Sequence, residues 1–143
     1  AAIVAERDAS VEAALASYGR NLGIAFQLID DAIDYVSDAD TMGKDVGDDF
    51  RDGKITLPVI LAYARGSEDE RVFWREAMSG RAAGDAELAR ALTLLGSSRA
   101  VEDTMARARL YGARAIDAIA GFPGGPAKTA LIETIEFAIA RAY

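Results

Sequence analysis

Three aspartates, Asp30, Asp31 and Asp34, crowd into the otherwise apolar segment FQLIDDAIDY at positions 26–35. At roughly 100° per helical residue, Gln27, Asp30, Asp31 and Asp34 share about a third of the helix circumference. Like charges one turn apart cost a few tenths of a kcal/mol per pair. They also lie toward the helix C-terminus, where the dipole disfavours anions. A divalent cation would relieve both penalties, and Asp30 and Asp34 are spaced to reach one ion. The following run, GKDVGDDFRDGK at 43–54, interleaves Lys44, Arg51 and Lys54 with further aspartates and three glycines. Lysines beside metal-binding carboxylates suit a polyanion such as diphosphate: metal bridges carboxylate to phosphate, and the lysines neutralise the remaining charge.

Counting charge shows how local this is. Residues 30–54 hold nine aspartates and three basic residues, a charge of −6, against −7 for the whole chain. The plainer reading is a solvated acidic face followed by a surface connector. Two other motifs fail on spacing. A phosphate loop GxxxxGK(S/T) needs four residues between its glycines; Gly47 and Gly53 have five between them, and Ile55 follows Lys54. A calcium loop starting at Asp38 would put Met42 at a ligand position and Asp49 where a bidentate glutamate belongs.

The chain has no cysteine and no histidine. Disulfides, thiolate metal sites, imidazole catalysis and the usual zinc ligand sets are therefore excluded. Oxygen ligands point to Mg²⁺, Mn²⁺ or Ca²⁺. The 143 residues, 51% hydrophobic and 27% charged, suit a globular chain with a real core. No apolar run approaches the ~18 residues of a membrane span. Neither a signal peptide nor a basic tract suited to nucleic acid is read in these residues, and the acidic balance disfavours nucleic acid. Ala1 falls inside an apparent helix with no cap before it, which is expected of a fragment or processed chain.

The elements that must carry these groups are helical throughout. Residues 1–7 read as a helix end, with Ser10 as N-cap of the next. Val11, Ala14, Leu15, Tyr18, Leu22, Ala25, Phe26, Ile29, Ile33 and Val36 then mark one face of a helix of about seven turns. Val11, Leu15, Leu22 and Ile29 form its expected burial stripe. Leu22, Phe26, Ile29 and Ile33 lie opposite the carboxylates. Gly19 and Gly23 leave room near the carboxylate side. Residues 37–55 read as a long loop with room for a helical turn. Thr56 caps a helix with Pro58 in its first turn, ending near Gly66. Further helices are expected at 68–79, 86–95, 99–120 and 126–142, with Asp85 and Ser97 or Ser98 as N-caps, Gly96 and Gly121 at C′, and Pro126 in a first turn. No period-two alternation occurs, so no sheet is predicted. Tyr63, Phe73, Trp74, Tyr111, Phe122 and Tyr143 read as packing residues.

These motifs resemble the second aspartate-rich region of the trans-isoprenyl diphosphate synthases (polyprenyl synthetases), FQ-x-x-DD-x-x-D followed by GK-x-x-G-x-D-x-x-x-GK-x-T-x-P. The matching residues are Phe26, Gln27, Asp30, Asp31, Asp34, Gly43, Lys44, Gly47, Asp48, Gly53, Lys54, Thr56 and Pro58. The similarity is greatest to bacterial long-chain members that make octaprenyl or decaprenyl diphosphate for quinone side chains. It implies an all-α fold, the C-terminal part of the isoprenoid synthase helical bundle around a central cavity. It implies Mg²⁺-dependent condensation of isopentenyl diphosphate with an allylic prenyl diphosphate. Carried over, Asp30, Asp31 and Asp34 serve one Mg²⁺ directly or through water, and Asp48 supports the metal shell. Gln27 lines the cavity near the reacting carbons, Lys44 contacts the allylic diphosphate, and Lys54 adds positive charge. A homodimer and a cytoplasmic location are expected by resemblance.

The family's first aspartate-rich motif and its upstream Lys-Thr pair are missing. Lys128-Thr129 lies far C-terminal and reads as helix-start surface chemistry. Residues 1–143 are thus expected to be the C-terminal part of one larger domain, carrying half of a metal clamp and inactive alone. Helices separated from a larger bundle should expose apolar faces. The alternatives are a non-catalytic subunit of a heteromeric synthase and a related class I terpene synthase. Cyclases usually carry an Asn/Asp–Ser/Thr–Glu motif where this chain has DD-x-x-D.

Overall fold

The computed structural model describes residues 8–36, 46–79 and 84–141. Among them seven helices and no strand occur: α1 (Ala9–Ile33), α2 (Asp48–Arg51), α3 (Leu57–Arg65), α4 (Glu68–Ala77), α5 (Asp85–Ser97), α6 (Ala100–Ala118) and α7 (Pro126–Ala140). The expected helix end at 1–7, the 37–45 part of the loop with Lys44, and Tyr143 lie outside the described residues. The helices fall into two compact units.

One unit takes α1 up to Ile29, with the chain from Ala106 onward. Tyr18, Ala115, Ile119 and Ile135 form its buried centre, with Leu15, Leu22, Leu131 and Ile139 packed around them. The Tyr18 hydroxyl donates to the Leu131 carbonyl at 2.8 Å, satisfying the one polar atom this side chain takes inside. Gly112 allows close approach: a Cβ there would stand 2.5 Å from Ile139 Cδ1, and that side chain would have to shift. Pro126 opens α7 as expected. Lys128 Nζ donates to the carbonyls of Ala120 (2.7 Å) and Phe122 (2.9 Å), just beyond α6. This is the helix-start surface chemistry expected of Lys128-Thr129, and it satisfies carbonyls of the turn that follows α6.

The other unit spans Asp30–Met105. Its core gathers Tyr35, Phe50, Val59, Ala62, Phe73, Trp74, Leu88, Ala91 and Leu95. Phe73 and Trp74 pack inside as expected, ring centroids 5.3 Å apart. Tyr63 departs from that expectation: it is exposed and its hydroxyl accepts from Arg75 Nη1 at 3.2 Å. Thr56 stands at the N-cap of α3, with Pro58 at the start of the helix. Ser67 and Glu70 close a reciprocal capping box on α4.

Several boundaries move for local reasons. Asp8, not Ser10, caps α1: its Oδ1 accepts the N–H groups of Ser10 and Val11, both at 3.0 Å. A carboxylate two residues earlier reaches both orphan donors, and the Ser10 hydroxyl donates to that same oxygen. Gly84, not Asp85, precedes α5, and its N–H is taken by Glu87 Oε2 at 3.0 Å. Gly96 lies inside α5. The break between α5 and α6 falls on Arg99, the left-handed residue (φ 54°) where glycine was expected to act and Ser97 or Ser98 to cap. Gly121 lies beyond the end of α6, in the turn after it.

Candidate metal and diphosphate site

The aspartate-rich segment forms the last turns of α1 and the turn after it. The buried arc of α1 runs through Tyr18, Ala25, Ile29 and Ala32. It is rotated by about 60° from the stripe of large apolar residues, at ~100° per residue. The two alanines, not Phe26 and Ile33, sit at its centre, because small residues permit the closest packing. Phe26 is 45% exposed, with the Arg141 guanidinium 5.3 Å above its ring. Val11 is only half-buried.

The aspartates differ in burial. Asp30 is exposed, Asp34 half-buried, and Asp31 buried. Asp31 therefore does not share one solvated face with Asp30. Gln27 is exposed, one turn before Asp30 and Asp31 on the same helix. Helix α1 ends at Ile33 rather than Val36, because the chain tightens: Tyr35 N donates to Ala32 O (3.2 Å) and Val36 N to Ile33 O (3.0 Å). Asp34 consequently sits in a turn.

The chain returns to this turn at Val46. Gly47 N donates to the Asp34 carbonyl at 2.9 Å, and Asp49 N donates to Asp34 Oδ2 at 3.0 Å. Gly47 is left-handed (φ 84°) and buried, and a Cβ would stand 2.3 Å from Leu88 Cδ1. Phe50 is fully buried and pins α2 to the core. Arg51 donates to the Val46 carbonyl and to Asp85 Oδ1, each at 3.0 Å. So fixed, α2 leaves Asp48 exposed at its first position.

The charges of this region act on one another. Burial pushes the Asp34 carboxyl above its usual range; the Asp49 N–H opposes this, and the negative charges of Asp49 and Asp48 add to it. Burial likewise pushes the Tyr35 phenol up. The Tyr35 and Thr56 hydroxyls are both buried, and Thr56 stands close enough to oppose that shift. Lys54 Nζ lies 2.7 Å from Asp49 Oδ1 and 3.2 Å from Asp52 Oδ2, so its charge is met locally. Those hydrogen bonds hold it more firmly protonated. Among the described residues, no three acidic side chains stand close enough together to hold one ion. Mg²⁺ commonly takes only one or two carboxylates and completes its shell with water and substrate phosphate. The clustered negative charge around Asp34 fits such a partial site. Sequence reasoning missed Asp49, which pairs with both Asp34 and Lys54; the DD doublet at 48–49 was its only signal.

The helical architecture places the chain with the isoprenyl synthase helical bundles. Over 99% of its length it superposes on a polyprenyl synthase from Caulobacter crescentus, solved with calcium and isoprenyl diphosphate, at TM-score 0.86 and 43% identity, covering 43% of that chain. It superposes equally widely on a decaprenyl diphosphate synthase from Rhodobacter capsulatus, at TM-score 0.88 and 35% identity, covering 44% of that chain. Residues 1–95 match the polyprenyl synthetase family, and the chain belongs to it. In sequence it is 37% identical over 143 residues to the octaprenyl diphosphate synthase of Haemophilus influenzae, spanning 43% of that protein. No described helix is long and apolar enough to cross a membrane.

Proposed function

We propose that this chain is the C-terminal part of a single polyprenyl synthetase domain. Its protein elongates an allylic prenyl diphosphate with isopentenyl diphosphate to a long all-trans product, a quinone side-chain precursor. The observation that carries this reading is the pairing of the aspartate-rich end of α1 with α2, in the order and spacing the family pattern requires. The identity with an octaprenyl diphosphate synthase supports long-chain chemistry.

In this reading Asp30, Asp31, Asp34 and Asp48 supply oxygen to Mg²⁺, with Mn²⁺ as substitute. The calcium-bound relative supports a divalent ion in this family. When bound, the ion supplies positive charge to the departing diphosphate. Lys44 contacts the allylic diphosphate and Lys54 adds charge, exchanging its contacts with Asp49 and Asp52 for phosphate oxygen. Gln27 faces the reacting carbons. The working protein is a cytoplasmic homodimer, and residues 1–143 alone catalyse no condensation.

The test is to incubate the full-length protein with farnesyl diphosphate, isopentenyl diphosphate and Mg²⁺, and to size the products. Long polyprenyl diphosphates that vanish with chelator are expected. A cyclised hydrocarbon, or no turnover without a second subunit, would replace this reading with one of its alternatives. Turnover by the isolated 143-residue chain would refute its inactivity.

A further inference from the structure

We propose that Asp34 is a positioning residue, a clasp that fixes α2 and thereby the carboxylate of Asp48. This deepens, and rests on, the metal–diphosphate reading of the site. Asp34 meets the returning chain twice. Its carbonyl accepts from Gly47 N at 2.9 Å, and its Oδ2 accepts from Asp49 N at 3.0 Å. Both donors flank Asp48. A four-residue helix such as α2 has little stability of its own, because nucleation is costly. Its placement must come from outside contacts. Phe50 and Arg51 anchor its far end, in the core and on Asp85. At the near end, the Asp34 carboxylate is the side chain that takes an N–H of α2's first turn. Gly47, the residue before α2, makes no side-chain cap. The third aspartate of the motif thus stands apart from the exposed Asp30: it is half-buried, with one oxygen already committed to backbone.

An asparagine would keep an oxygen acceptor for Asp49 N while removing the charge a metal needs. The experiment therefore compares Asp34→Asn, Asp34→Ala and Asp30→Asn in the full-length protein. Two quantities are read: hydrogen exchange over residues 46–50 without ligand, and binding of inorganic diphosphate with Mg²⁺. The clasp predicts that Asp34→Asn keeps exchange near wild type, within about threefold, whereas Asp34→Ala raises it roughly tenfold and weakens binding further than Asp34→Asn does. Asp30→Asn should weaken binding and leave exchange unchanged.

Between the two Asp34 variants, binding must fall as protection falls. If Asp34→Asn and Asp34→Ala lose binding equally while their exchange differs, Asp34 acts on the metal alone and the clasp is overturned. Unchanged exchange in Asp34→Ala overturns it equally. Should Asp34→Ala fail to fold, Asp34→Asn decides: exchange near wild type keeps the clasp, and exchange raised roughly tenfold overturns it. The exchange arm needs neither metal nor substrate, so failure of wild type to bind Mg²⁺–diphosphate would sink the proposed function and leave the clasp still decided.

Discussion

Phe50 stands edge-on to Trp74, ring centroids 6.2 Å apart and planes at 81°. Through this pair the core of the 30–105 unit holds the short helix that carries Asp48. Phe50 is fully buried and Trp74 is 1% exposed. Phe50→Ala should cost about 3–5 kcal/mol by cavity formation and lost aromatic contact. Chemical denaturation checks this, and Phe50→Leu should cost less than half as much. Equal losses would mean that the edge-on contact, not volume, holds α2.

Gly47→Ala tests the turn before α2. Left-handed backbone costs a non-glycine residue about 1–2 kcal/mol. The new Cβ would also displace Leu88, which is itself buried. A loss of about 2 kcal/mol or more is expected in a thermal melt. Gly53→Ala is the comparison: it is left-handed too (φ 69°), but nothing lies within 4 Å of its Cβ position. It should lose only the backbone part.

These two glycines mark what the sequence made legible. Pro58 and Pro126 open helices by rules that act within one turn, and those expectations stand; Thr56 takes the N-cap position without a side-chain cap hydrogen bond. The break between α5 and α6 was legible to within a few residues, but its left-handed residue, Arg99, was not, because it has a side chain. Nor was the burial of Asp31. Periodicity ranks residues by size and polarity, whereas the arc actually buried centres on Ala25 and Ala32. The contact of Asp34 with Asp49 crosses fifteen residues. No local rule reports such a pairing, although the motif had gathered both residues into one region.

Tyr18→Phe should destabilise the other unit by about 1 kcal/mol, the net worth of one hydrogen bond. The ring stays buried and only the bond to the Leu131 carbonyl is lost. Amide exchange in α7 should quicken near Leu131. A variant as stable as wild type would mean that water compensates the carbonyl fully.

Glu68 gives a pH signature. Its carboxyl is held below the usual range by the hydrogen bond and charge of Arg75, 2.9 Å away. A depressed carboxyl stabilises the fold above its unfolded pKa and loses that contribution as pH falls through the folded value. Glu68→Gln should therefore lower the melting temperature slightly at neutral pH. The difference should vanish in acid below the depressed folded value, and shrink at neutral pH in high salt. A difference that persists in acid would assign the effect to packing.

The pairing of Lys54 with Asp49 and Asp52 also bears on how ligands arrive. Between the described stretches 30–36 and 46–54 there are six aspartates against Arg51 and Lys54, a net −4. Arg51 already points to Asp85. An anion arriving without its cation meets a repulsive field, and a cation arriving alone meets carboxylates that leave much of its shell to water. On the proposed reading each ligand raises the affinity for the other, by the same factor in both directions. The region then behaves as a coincidence detector: it responds more strongly to the metal–diphosphate complex than to either component singly.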